Sequence, residues 1–191
     1  AGLDEGRTGG RAATTAVAFA ALLLGSGGQA FLAGAALVVA GAVQAARLLR
    51  WRSLALRRHG DVVMLHLAWL WLAIGLAVTG FALLLPHRLD PATGLHALTM
   101  GAMGTMVFAL AARPFMARAP GRLIAGPALG WAFAALCGAT VLRLCLPGAT
   151  LWGLAGHQWS ALAWGAGWAV FLGCGLRSLA SPLPFPVLSA R

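Results

Sequence analysis

Long stretches without a charged residue dominate the chain, and short polar segments interrupt them. No Asp, Glu, Arg or Lys occurs from Ala12 to Ala46, from Val62 to His87, from Pro91 to Ala112, from Leu123 to Leu142 or from Leu144 to Leu176. Each stretch can supply the roughly 20 residues that carry a helix across a hydrocarbon core. The first is too long for one crossing at about 1.5 Å per residue, and Gly25-Ser26-Gly27-Gly28-Gln29 breaks it into two helices joined by a tight turn. The pattern therefore predicts six spans, near 12–25, 29–48, 61–86, 91–112, 123–146 and 152–176. They make a bundle over 12–177, between a polar segment at 1–11 and a cytoplasmic tail at 178–191.

Local signals agree with these limits. Asp61 is placed to cap the third span, Asp90 followed by Pro91 is the expected pair at the start of the fourth, and Pro147-Gly148 separates the fifth from the sixth. Lipid offers the backbone no hydrogen-bond partner, so these runs must close as helices, and their Ala, Gly and Leu content with little β-branching argues against barrel strands. The expected class is all-α, a polytopic transmembrane helix bundle.

Composition and charge sharpen that picture. Hydrophobic residues make up 60% of the 191 and charged residues only 9%, against about 25% in soluble domains. The net charge of +10 comes entirely from arginine, clustered in short patches between apolar runs, which suits lipid headgroups and argues against nucleic acid as a partner. Arg7, Arg11, Arg47, Arg50, Arg52, Arg57, Arg58, Arg113, Arg118, Arg122, Arg177 and Arg191 fall on one side of the predicted bundle and only Arg88 on the other. The positive-inside rule then puts both termini in the cytoplasm. Arg143 lies inside the fifth span near its outer end, where it either snorkels to headgroups or serves a role inside the bundle. Cys137, Cys145 and Cys174 sit in apolar stretches and read as packing residues, not a disulfide framework. The chain opens with Ala1 instead of Met, which reads as a fragment or a trimmed protein.

Candidate chemistry rests on histidine. His66, His96 and His157 fall inside predicted spans, where ionisable residues are functional candidates and imidazole suits haem iron or copper. His66 and His96 are each some 8 Å inside opposite boundaries, too far apart for one metal. His157, entering the sixth span from the outer side, comes near the level of His96, so that pair could ligate one iron or copper. His96, Met100 and Met103 follow i, i+4, i+7 on one helical face, and thioether beside imidazole suits Cu(I) or a haem edge; methionine as filler of an apolar bundle is the plainer reading. Gly94, Ala97, Gly101 and Gly104 form a small-residue ridge that admits a neighbouring helix or a flat macrocycle, the helix being the more usual occupant. His157, Trp164 and Trp168 share a face that could wall a planar cofactor. His66 has Trp69 one turn away, near Arg50, Trp51 and Arg52, whose guanidiniums could hold an anionic group such as a haem propionate. Phosphate-binding loops, an HExxH motif, paired cysteines and a hydrolase triad are absent from the sequence, and few carboxylates enter the bundle to drive a proton relay.

Three strings, Arg47-Leu-Leu-Arg-Trp51, Leu65-His66-Leu-Ala-Trp-Leu-Trp71 and Leu95-His96-Ala-Leu-Thr-Met-Gly-Ala-Met-Gly-Thr-Met106, closely resemble the NnrS family. The resemblance runs from about Ala35 to Pro186. Full-length members are roughly twice as long, so the chain resembles the C-terminal half, with an N-terminal half as its partner. What the resemblance implies is a multi-pass protein of the bacterial inner membrane that contains haem and copper. Such proteins are associated with denitrification and with resistance to nitric oxide (nitrosative) stress, and a small gaseous ligand such as NO goes with that role. His66 and His96 match the family's histidine motifs; His157 rests on depth alone. Family members often carry a His in a Gly-His-Thr-Gly-Arg-like stretch after the fourth span, where this chain reads Arg113-Pro-Phe-Met-Ala-Arg-Ala-Pro-Gly-Arg122. The expected function is that of a haem b and copper protein of the NO response, with a binding or protective role rather than an established turnover. The alternatives are a metal-free transporter or permease half-bundle, and a membrane oxidoreductase with haem at both histidine levels.

Overall fold

The computed structural model of the chain describes residues 17, 28–51, 59–119 and 122–180. Among them five helices are long and apolar enough to cross a membrane: α1 (Ala30–Arg50), α2 (Gly60–Leu84), α3 (Pro91–Phe115), α4 (Pro127–Cys145) and α5 (Gly156–Ala180). The count is thus five where the charge-free runs predict six. The predicted span 12–25 lies outside the described residues apart from Val17, as do Arg52, Arg57, Arg58 and the segment 181–191.

Helix ends follow local chemistry. Asp90 caps α3, its Oδ1 accepting the Ala92 N–H at 2.8 Å with Pro91 in the first turn. Two starts differ from the sequence expectation. Residues Ala117–Ala119 (β1) pair antiparallel with Arg122–Ile124 (β2), so α4 begins at Pro127 and not near 123. Thr150–Leu151 (β3) and Leu154–Ala155 (β4) form a second antiparallel hairpin. Its turn residues Trp152 and Gly153 both have positive φ, 51° and 79°, the left-handed pair of a tight two-residue hairpin turn. Such a turn delays α5 from about 152 to Gly156.

The third span is not one continuous α-helix. It runs as α-helix over Pro91–His96, as π-helix over Ala97–Gly104, as α-helix over Thr105–Ala111 and as a 3₁₀ turn over Arg113–Phe115. A π-helical turn closes at i+5 and takes up one residue more than an α turn. The widening falls within Leu95–Met106, the third of the strings that carry the family resemblance.

The chain divides into two compact units. The first holds residues up to Arg52 together with Trp69–Ala102. Here α1 and α2 meet almost backbone to backbone: a Cβ on Gly80 would stand 2.6 Å from the Gly34 carbonyl oxygen and 2.8 Å from the Val38 nitrogen, and one on Gly41 would stand 2.8 Å from the Ala73 carbonyl oxygen. Leu37, Ala40 and Leu76 are the buried core of this unit. On the other side of α2, Gly94 lies against Thr79 and Gly101 against the Trp71 ring. The small-residue ridge of α3 therefore receives a helix, the more usual of its two readings.

The second unit holds Ser53–Ala68 and Met103–Arg191. Its centre is an aromatic cluster in which Phe108 packs on Phe133, Trp168 and Phe171 with ring centroids 5.9, 5.6 and 5.2 Å apart. Trp164 and Trp168 meet edge to face at 6.2 Å and pack on this core, so the Trp168 face predicted as a cofactor wall is occupied by protein rings. Leu136 of α4 fits into the space that Gly167 leaves on α5, and the buried Ser160 hydroxyl donates to the Ala139 carbonyl at 2.7 Å. In lipid such packing and interhelical bonds hold helices together, because apolar burial alone gains little there.

Asp61 lies inside the first turn of α2, and its carboxylate takes Arg113 at 3.3 Å instead of capping the helix. Asp61 is 4% exposed, whereas the Arg113 side chain is 45% exposed. The pair joins the start of α2 to the end of α3. Removing the exposed partner strands the buried one. Arg113→Gln is expected to lower stability by about 1–3 kcal/mol. The double variant Asp61→Asn/Arg113→Gln should recover part of that loss, read by denaturant unfolding in detergent. Equal stability of Arg113→Gln and the parent would show that water already solvates Asp61.

Candidate cofactor site

Each of the three candidate histidines uses one ring nitrogen to fix its orientation. His66 Nδ1 lies 2.7 Å from the Val62 carbonyl oxygen, one turn back on α2. His96 Nδ1 lies 2.6 Å from the Ala92 carbonyl oxygen, one turn back on α3. His157 Nδ1 lies 3.0 Å from the Pro147 carbonyl oxygen, in the loop before the second hairpin. A carbonyl oxygen only accepts, so Nδ1 carries the proton in all three and the ring lone pair sits on Nε2. Metal-binding imidazoles are held the same way, with the second nitrogen donating to a carbonyl or carboxylate. His66 and His96 are both partly buried, while His157 is exposed.

Depth changes for one of them. His96 is the sixth residue of its span, as the sequence places it. His157 is the second residue of α5, at the rim, because the hairpin turn takes up the residues expected to begin that helix. His96 belongs to the first unit, and His66 and His157 to the second.

The π-helix also alters the thioether arrangement. The i, i+4, i+7 coincidence of His96, Met100 and Met103 assumes α turns, but residues 97–104 make wider ones. After two such turns Met103 falls short of the His96 face, and it is 62% exposed. Met100, four residues on and partly buried, keeps the closer relation to His96. Thr99, between them, satisfies its hydroxyl on the Leu95 carbonyl at 2.8 Å.

At the arginine-rich end of α1 the first unit gathers polar and aromatic groups. Arg47 Nη1 donates to Gln44 Oε1 at 3.5 Å, and Gln44 is buried. Trp51 packs on Trp69 with ring centroids 5.2 Å apart, which brings together the segment of Arg50 and the helix of Trp69, as expected. Trp69 Nε1 is buried and has no acceptor. A buried N–H without a partner costs about 1–3 kcal/mol, so it marks a position where an acceptor from a ligand would be stabilised. An anionic oxygen beside Arg50 meets that requirement, and the donor set suits a carboxylate such as a haem propionate.

Some polar residues escaped the sequence reading. Gln44 is one, hidden in a charge-free run. His59 is another: its Nδ1 is buried without a partner, just before α2, in a segment that reads only as a basic loop. The Asp61–Arg113 pair was legible in principle, since both residues end charge-free runs on the same predicted side. Arg143 stands in the last turn of α4 and is partly buried, where its charge favours the helix C-terminus. All three cysteines are free thiols. No group of three or more His, Cys, Asp or Glu residues converges as a metal cage among the described residues, which leaves imidazole, alone or with thioether, as the donor type the spans offer.

The model of the family described as NnrS protein matches residues 4–182. Neither a curated protein nor a solved structure matches the chain.

Proposed function

The chain belongs to the NnrS family, and from that premise we propose that this multi-pass membrane protein carries haem b and copper and takes part in the response to nitric oxide, in the inner membrane of a bacterium with its arginine-rich side cytoplasmic. The observation that carries this reading is the common setting of His66, His96 and His157, each with Nδ1 committed to a backbone carbonyl and its lone pair on Nε2.

In this reading His66, in the second unit, would ligate haem, and in the first unit Arg50 and the Trp69 indole N–H would receive an anionic oxygen. In the first unit His96 with Met100 would form the copper-binding group, with Met103 outside it, and in the second unit His157 would be a further imidazole ligand. Haem iron, when bound, supplies a coordination position for a diatomic ligand. The protein's own part is to hold the imidazoles in one tautomer, to neutralise the anionic oxygen and to surround the site with apolar helices that admit an uncharged gas and exclude ions. The π-helical turns directly after His96 support a functional centre at that point, since such departures from the α-helix concentrate at functional sites.

The test is an absorption spectrum of the detergent-purified protein, oxidised and dithionite-reduced, with iron and copper analysis and titration with NO. A reduced b-type spectrum that NO shifts is the expected result. A colourless, metal-free protein from cells well supplied with haem overturns the reading and leaves transport of a small apolar substrate in its place.

A further inference from the structure

In the second unit the connection between α4 and α5 carries an apolar tip that the haem and copper reading does not use. It joins two helices long and apolar enough to span, at the end of α4 away from Arg118, so it stands where the bilayer meets water. No charged residue occurs from Leu144 to Leu176, although a connection that stands in water is ordinarily polar. Leu146, Leu151 and Trp152 are 49%, 56% and 84% exposed. Trp152 is also the first central residue of the hairpin turn, at φ 51°, a left-handed position that favours glycine or asparagine. The backbone preference of this position is thus opposed to the residue that the turn displays.

The tip is clamped in place. Three successive residues at the start of α5 bond back to the connection: His157 Nδ1 donates to the Pro147 carbonyl at 3.0 Å, Gln158 Oε1 accepts the Ala155 N–H at 2.8 Å, and Trp159 Nε1 donates to the Leu151 carbonyl at 3.0 Å. The Gly156 N–H adds a bond to the Ala149 carbonyl at 2.7 Å, and a Cβ on Gly156 would collide with the Leu146 carbonyl oxygen. The Trp159 ring meets Trp152 edge to face at 5.9 Å and 73°, which sets the direction of the exposed indole. These bonds bury no core, since Thr150, Leu151 and Trp152 are all exposed. Their effect is to present Leu151 and Trp152 in one orientation, with the cost of ordering the tip met before it touches anything.

Side-chain chemistry selects the occupant. An indole joins a large apolar ring to a single N–H donor, which is why tryptophan collects at the level of lipid carbonyls and phosphates. The Trp159 N–H is taken by Leu151, while Trp152, 84% exposed, offers its own outward. A water-borne partner would meet no charged side chain on this tip. We propose that the hairpin is a preformed anchor in the headgroup layer of the leaflet at this end of α4, with the Trp152 indole among the lipid glycerol and carbonyl groups. The anchor depends neither on the cofactors nor on the charge of the lipid.

The full chain, labelled with fluorotryptophan and reconstituted in dioleoyl phosphatidylcholine nanodiscs, would be examined by fluorine NMR, with the Trp152 resonance assigned by its loss in Trp152→Phe. A nitroxide on the lipid near the glycerol should broaden that resonance beyond detection. A nitroxide at the end of the acyl chain and a gadolinium chelate in the water should both leave it visible. Trp159→Phe and Gln158→Ala each remove one bond of the clamp and should open Trp152 to the chelate, with circular dichroism to verify that helix content is kept. Broadening of the parent resonance by the chelate as strong as by the glycerol nitroxide overturns the anchor, because the hairpin then stands in water. A resonance that no agent broadens also overturns it, because protein, such as a second copy of the chain, then covers the tip. A Trp152 signal unchanged in both clamp variants overturns the claim that the anchor is preformed.

Discussion

Replacing His66 by alanine is expected to abolish the reduced b-type haem spectrum of the purified protein, and replacing His96 to remove its copper. The carbonyls of Val62 and Ala92 hold these rings by Nδ1 at 2.7 and 2.6 Å, independently of any metal. Alanine therefore deletes the nitrogen proposed as ligand without removing a core residue, since both rings are partly exposed. Even changes to the outer partners of a metal ligand cost about 10–100-fold in affinity, and loss of the ligand itself should exceed that. Haem per chain and copper per chain measure the effect, with circular dichroism to verify that helix content is kept. His157→Ala gives the third comparison: loss of haem or copper makes its imidazole a ligand, while unchanged loading removes it. Met103→Ala should leave both cofactors in place, because the π-helical turns carry Met103 off the His96 face. Wild-type loading in His66→Ala, His96→Ala and His157→Ala alike would remove all three as ligands.

The second large effect is expected from the contact of α1 with α2. Gly80→Leu should destabilise the protein by about 3 kcal/mol or more, at the upper end of what overpacking costs. A side chain at Gly80 meets the Gly34 carbonyl oxygen at 2.6 Å and the Val38 nitrogen at 2.8 Å, and these are backbone atoms that no rotamer change can move aside. The helices must separate, and with them go the Gly41 contacts to Ala73 and Ala77 further along the seam. In lipid the separated state loses little by exposing apolar surface, so packing is most of what held the pair. Gly138→Leu and Gly165→Leu are the controls, since nothing lies within 4 Å of a Cβ at either glycine and both are exposed. Those two should fall within about 0.5 kcal/mol of the parent. Unfolding by a denaturing detergent, monitored by circular dichroism, measures all three, and a Gly80→Leu protein as stable as the controls would mean that the helices do not approach this closely.

The places where the sequence was sufficient are those where the outcome is dictated within a few residues. A charge-free run of some 20 residues has to close its own backbone bonds where water is absent, so the spans near 29–48, 61–86 and 91–112 were legible to within a few residues. The same holds for the Asp90-Pro91 start, where cap and first turn are neighbours in the chain. The orientation of His66 and His96 is local as well, since each bonds the carbonyl four residues behind it.

Tertiary packing decided what depends on residues distant in the chain. Asp61 reads as a cap, but the arrival of Arg113, 52 residues later, turned it into half of an ion pair. Trp168 reads as the wall of a cofactor pocket until Phe108 and Phe171 cover it. The delayed starts of α4 and α5 come from strand pairing across two hairpins, which outweighs the helical pattern of the same residues. The π-helix over Ala97–Gly104 is the clearest case. Its residues look α-helical one by one, and the wider turn is found where α3 lays Gly94 and Gly101 on Thr79 and Trp71. Residue type and spacing named the histidines. Which methionine keeps to the His96 face is set by turn geometry, which spacing counted in α turns does not contain.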